Sequence, residues 1–136
     1  MIRRDEGNAS IELVLMAPVL LAILALVVAS GRLLSTKSAV EAVTREAARA
    51  ASGADDAGSA QDIAKQRAED VSAELMLDSS RLRLETKLGT FGRGTPLTVE
   101  VDYLLPLADL PGFGLFPGSI QVSARHTELI ERFKSR

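Results

Sequence analysis

One acid in this chain stands where acids are rarely tolerated. Glu12 lies five positions after Gly7, at the mouth of an apolar run that opens with Leu13. An ionised carboxylate at the edge of a hydrocarbon layer costs free energy unless it finds a partner or stays at the interface. The residues before it form a short charged leader, Arg3-Arg4-Asp5-Glu6, closed by Gly7. From its position alone, the acid can serve as a boundary residue that marks the headgroups and caps the helix dipole.

Other residues with chemical potential are scattered. His126 is the single histidine, and cysteine is absent, which removes disulfides and thiolate metal sites. With no second His and no Cys, His126 is expected to pack or lie at the surface. Asp55 and Asp56 are adjacent acids in a Gly-containing stretch, but the alternating ligands of a calcium loop are missing. GTFGRGT has glycines without the Lys and the strand–loop–helix setting of a phosphate loop. No catalytic constellation, cofactor site or metal site is expected, and an enzyme is not the expected reading. The net charge is −2 with both signs mixed, so no basic face points to nucleic acid.

The element that positions Glu12 is the run LVLMAPVLLAILALVVA, residues 13–29, which carries no charge. With its flanks it reaches about 20 residues, or roughly 30 Å of helix, the thickness of a bilayer core. Pro18 falls in its early turns, where a mild kink is tolerable. A transmembrane anchor is the leading reading. A cleaved signal peptide is the first competitor, because Val27-Val28-Ala29 offers small residues near a cleavage point. A buried core helix is the second, although no other segment is apolar enough to surround it.

The stretch RRDEGNASIELVLMAPVLLAILALVVASGRLL resembles class III prepilin leaders and, more closely, the start of TadE-like proteins, the minor pseudopilins of tight-adherence (Flp) pilus systems. The matched features are Gly7, Glu12, Pro18 and the closing pair Gly31-Arg32. The family often has an aromatic after the acid, where this chain has Leu13. Weaker likeness continues into Glu41–Ala51 and the segment VEVDYLLPL. The resemblance implies removal of the leader at Gly7 and Asn8 by a prepilin peptidase. It also implies that Glu12 meets the new amine of a neighbouring subunit, and that the partners are other pilin-like subunits, the peptidase and the pilus assembly platform. It places the protein in the inner membrane as a single-pass chain with an extracytoplasmic head, acting in initiation, priming or capping of the fibre. The alternative is a secreted or membrane-tethered binding protein with a cleaved signal peptide.

Five regions are expected: a leader over 1–7, a transmembrane helix over 8–31, an amphipathic extension over 32–51, a linker over 52–60 and an α+β head over 61–136. In the extension, Ala39, Val40, Val43, Ala47 and Ala50 fall on one stripe, with Glu41 and Arg45 opposite as an i,i+4 pair. Ser59 with Asp62 reads as a capping box for a second helix reaching about Met76, its inner stripe being Ile63, Ala64, Ala68, Val71 and Leu75. Alternation then predicts a strand over 81–88, a turn at GTFGRGTP, a strand over 97–103 and a third from Ile120 toward Ile130. Between the last two lies LLPLADLPGFGLFPGS, whose apolar residues suit a partner surface or lipid; a loop folded onto the head is the expectation. The fold class is therefore α+β, with a helix pair over a small antiparallel sheet of about three strands.

Overall fold

A computed structural model describes residues 5–130, with side chains from Gly7 onward. Arg3 and Arg4 of the leader and residues 131–136 lie outside the described residues. The order of elements is a long helix α1 (Asp5–Ser52), a second helix α2 (Ala57–Glu74), then strands β1 (Leu82–Leu88), β2 (Pro96–Pro106) and β3 (Ser119–Leu129). The fold is α+β, as the sequence pattern predicts.

The described residues fall into two compact units, and α1 runs through both. The first is α1 up to Leu33 together with Pro106–Gly118. Here the helix is apolar on every side: Leu13, Leu15, Leu20, Leu21, Leu24 and Val27 are all exposed. An all-round apolar helix with nothing folded over most of it fits a lipid environment rather than water. It is long and apolar enough to cross a membrane. Pro18 sits within it without interrupting it.

The second unit comprises α1 from Leu34, α2 and the sheet. Small and β-branched residues fill its core: Val40, Val43, Ala47, Ala48 and Ala51 from α1, and Ala60, Ala64, Ala68 and Val71 from α2. Alanine at these positions allows close helix approach at little side-chain entropy cost. An ion pair between Arg67 and Glu46 at 3.4 Å ties α2 to α1. The expected stripe on α1 is rotated slightly, since Ala48 and Ala51 are buried where Ala39 and Ala50 are only half-buried. On α2, Ile63 and Leu75 are exposed and Ala60 and Ser72 are buried instead. The small residues face inward because the interhelical space does not admit the larger ones.

Both ends of α2 also differ from expectation. Its N-cap is Asp56 rather than Ser59: the Asp56 carboxylate accepts from the Ser59 backbone N–H at 2.9 Å and from its hydroxyl at 2.8 Å. The helix ends at Glu74, and Met76 follows in the left-handed region with φ 57°. The Leu77 N–H returns to the Ser72 carbonyl at 2.8 Å, a Schellman closure made without glycine.

The sheet order is β1-β2-β3. Antiparallel pairing sets Leu82 opposite Tyr103, Leu84 opposite Val101 and Leu88 opposite Leu97. Leu97, Val99, Val101, Tyr103 and Leu105 are buried, so one face of the central strand closes the core while the other is polar. On the polar face, Glu100 accepts from Lys87 of β1 and Arg125 of β3, each at 3.1 Å. Thr98 and Thr127 meet at 2.9 Å, and Ser123 donates to Asp102. These cross-strand contacts hold one register across all three strands.

Candidate functional site

Gly7, Asn8 and Glu12 all lie on α1 in its first turns. Asn8 and Glu12 are four residues apart, so the helix puts both on one face with about 6 Å of rise between them. Nothing lies within 4 Å of where a Cβ on Gly7 would project. Within the folded chain, bulk at Gly7 is therefore tolerated, and any requirement for a small residue there must come from a partner.

Glu12 is exposed between Ile11 and Leu13, which are 62% and 71% exposed. It makes no hydrogen bond or ion pair with any other described residue. Among the described residues, none supplies the carboxylate with a positive charge or a donor. In a bilayer that leaves the interface or another molecule to satisfy it.

The remaining chemical candidates are occupied structurally. Asp56 is committed to the cap of α2, and the Ser59 hydrogen bonds hold its carboxyl below the usual carboxylate range. Asp78 plays the same part at the 3-10 turn Ser79–Arg81, where hydrogen bonds from Ser80 lower it. Hydrogen bonds from Lys87 and then Arg125 lower Glu100. All three shifts are those of carboxylates holding structure together. His126 lies on β3 with its Nε2 3.1 Å from Glu128. No group of three His, Cys, Asp or Glu side chains converges for a metal among the described residues.

Two grooves open on the second unit. One, of about 530 Å³, lies between α2 and β1 and is lined by Asp62, Lys65, Glu69, Glu85 and Lys87. The other, of about 370 Å³, is bordered by Glu41, Arg45 and His126. Mixed charges line both clefts; Ser123 and His126 border the second, but Ser123 donates to Asp102 and His126 lies against Glu128.

The loop after β2 departs most from expectation. It belongs with the apolar part of α1, not with the α+β unit. Its Gly112 sits so close to α1 that an added Cβ would come 2.9 Å from the Ala25 side chain. Leu110 of the loop and Ala29 of α1 are each 5% exposed, whereas Leu115 is 97% and Phe116 59% exposed. Sequence reading missed Gly112; the only local signal was a glycine inside an apolar, proline-bounded stretch.

Residues 7–49 match the family model described as TadE-like protein. No curated protein and no solved structure matches the chain. The family match thus covers Gly7, Glu12, the apolar span and most of the α1 extension. It stops before α2, so the likeness noted in VEVDYLLPL rests on sequence pattern alone. Residues 7–49 are thus similar to TadE-like proteins, and the apolar half of α1 within that match is long and apolar enough to cross a membrane.

Proposed function

From the match of residues 7–49 to TadE-like proteins, we propose that the protein is a minor pseudopilin acting in assembly of a tight-adherence pilus, by initiating, priming or capping the fibre. The observation that carries this reading is Glu12: an acid on a lipid-type helix, without a partner among the described residues, one turn beyond the Gly7–Asn8 bond. A prepilin peptidase would cleave that bond. The amine it releases on Asn8 of one subunit would then pair with Glu12 of the next. Such a pair sets the axial stagger of adjacent α1 helices, because any other register leaves two charges uncompensated in a low-dielectric setting.

The rest of α1 serves the same role. Its all-round apolar lower part stores the subunit in the membrane and then packs against other pilin-like helices. Its upper part, from Leu34, is built into the α+β unit. We place the head on the extracytoplasmic side of the inner membrane, following the basic leader residues Arg3 and Arg4. Charge pairing, removal of the leader and lateral packing need no cofactor.

The alternative, a secreted or tethered binding protein with a cleaved signal peptide, would cut α1 after Ala29. That position is in mid-helix, and Ala29 is buried in the compact unit that also holds the loop after β2.

Glu12→Gln tests the proposal. The substitution keeps size and polarity but removes the charge. A charge-assisted pair is worth about 1.5–3 kcal/mol, so occupancy of the partner should fall roughly tenfold or more. Membrane insertion becomes easier without the acid, so subunit levels should hold. The expected outcome is a membrane-resident, processed subunit that co-purifies poorly with other pilin-like proteins, in cells with few or no pili. Normal complexes and normal piliation would reduce Glu12 to a boundary residue.

A further inference from the structure

Segment Pro106–Gly118 joins β2 to β3 yet is grouped with the apolar half of α1. The point of contact is deep. Gly112 touches Ala25, which precedes Arg32, the first charge after the apolar span, by about 10 Å of helix. Residues of α1 around Ala25, including Leu24, Leu26, Val27 and Val28, are exposed and apolar. Whatever solvates them also reaches the loop.

The loop has the chemistry for that environment. From Leu104 to Gly118 its single charge is Asp109, in the turn that leads into the apolar residues. Leu115 and Phe116 project without cover, and the rings of Phe113 and Phe116 stand 6.1 Å apart. In water, such a pair of large exposed side chains is unfavourable by the ordinary transfer term. Its backbone is also adapted. The N–H groups of Leu110, Phe113 and Phe116 donate to the carbonyls of Leu107, Leu110 and Phe113, at 3.0, 3.1 and 2.9 Å. Leu107 N–H closes the loop onto Gly118 at 3.0 Å. Pro106, Pro111 and Pro117 have no N–H to satisfy. Internally bonded turns and prolines are what irregular backbone requires near hydrocarbon, where water does not replace missing partners.

We propose that this loop inserts into the bilayer leaflet on the head side of the membrane, with Leu115 and Phe116 among the acyl chains, as a second membrane contact beside α1. The ligand is the acyl region rather than anionic headgroups, because the loop contains no Lys or Arg. Its insertion is shallow, on the scale of about 5–10 Å typical of interfacial elements. The proposal rests on α1 being a membrane anchor and on nothing about the pilus.

The chain has no Trp, so single tryptophans report directly on depth. The full chain would be reconstituted in phosphatidylcholine vesicles carrying spin labels at the fifth or twelfth acyl carbon. Phe116→Trp and Leu115→Trp would be read separately, with Leu20→Trp as the anchor reference and Arg83→Trp as the solvent reference. Phe116→Trp and Leu115→Trp should emit at shorter wavelength than Arg83→Trp. Lipid labels should remove most of their emission, the fifth-carbon label more than the twelfth, and iodide should quench them little. Leu20→Trp should be quenched by lipid labels as well. If Leu20→Trp is lipid-quenched while both loop tryptophans are quenched by iodide, the loop proposal falls and the anchor stands. Loop tryptophans shielded from iodide and from both lipid labels would mean that protein, such as a second copy, covers the loop, which also overturns the proposal. An iodide-quenched Leu20→Trp would overturn the anchor and the proposal together.

Discussion

Gly112 and Ala25 meet at a distance that admits no side chain on the glycine: a Cβ there would stand 2.9 Å from that of Ala25. The contact joins a loop residue late in the chain to the C-terminal third of the apolar span. Gly112 also has φ +82°, where an L-residue is strained.

Gly112→Ala therefore carries two penalties, backbone strain and a steric clash. Together they should cost about 1–3 kcal/mol, read as a lower midpoint of thermal unfolding in detergent micelles. Ala25→Gly in the same chain should restore the steric part and leave the strain, so the two substitutions should couple in a double-mutant cycle. Additive effects would show that the close approach does not persist in solution.

Met76 makes the opposite prediction. It holds the left-handed position after α2 and is 94% exposed, so its side chain contributes little packing. A left-handed non-glycine residue costs roughly 1–2 kcal/mol, and glycine recovers part of that while adding unfolded-state entropy. Met76→Gly should raise the unfolding midpoint, and a lowered midpoint would contradict the Schellman closure.

Acid should loosen the α+β unit through carboxylates whose folded pKa values are depressed. Glu100, Asp56 and Asp78 are each lowered by hydrogen bonds they accept. A depressed group stabilises the fold above its unfolded pKa, near 4 for these side chains, and loses that contribution as pH falls through the folded value. The unfolding midpoint should thus be flat from neutral pH to about 5 and fall below about 4. Glu100→Gln should lower the midpoint at neutral pH and make it less dependent on pH below 4. An unchanged acid slope would mean that the Lys87 and Arg125 contacts do not persist.

The same residues mark how much could be read in advance. Strict alternation in Leu82–Leu88 and Leu97–Tyr103 made the strands legible, since a one-residue slip would expose a whole apolar row. The continuity of α1 was legible because no glycine pair, proline or charge cluster interrupts the passage from Ser30 to Lys37. The α2 cap is not legible because Ser59 and Asp62 imitate a capping box, while the true cap, Asp56, stands in a pair of adjacent acids. The inner stripe of α2 was misread because size pointed to Ile63 and Leu75, whereas packing against α1 selects alanines. The loop after β2 was assigned to the head on chain proximity, and nothing local foretells its contact with Ala25. Glu12 stood out by its setting, an acid beside seventeen uncharged positions. The proposed partner of Glu12 lies on another molecule, and no pattern within one chain specifies that.

The central claim, that this chain is processed and assembled as a pilin-like subunit, is tested most directly by the mass of its mature N-terminal peptide from membranes of the native host. The expected result is a peptide that begins at Asn8, and an uncleaved Gly7–Asn8 bond in a Gly7→Phe chain, where an added Cβ meets nothing within 4 Å. Wild-type protein found with Gly7 still joined to Asn8, or beginning at Ser30, would contradict it.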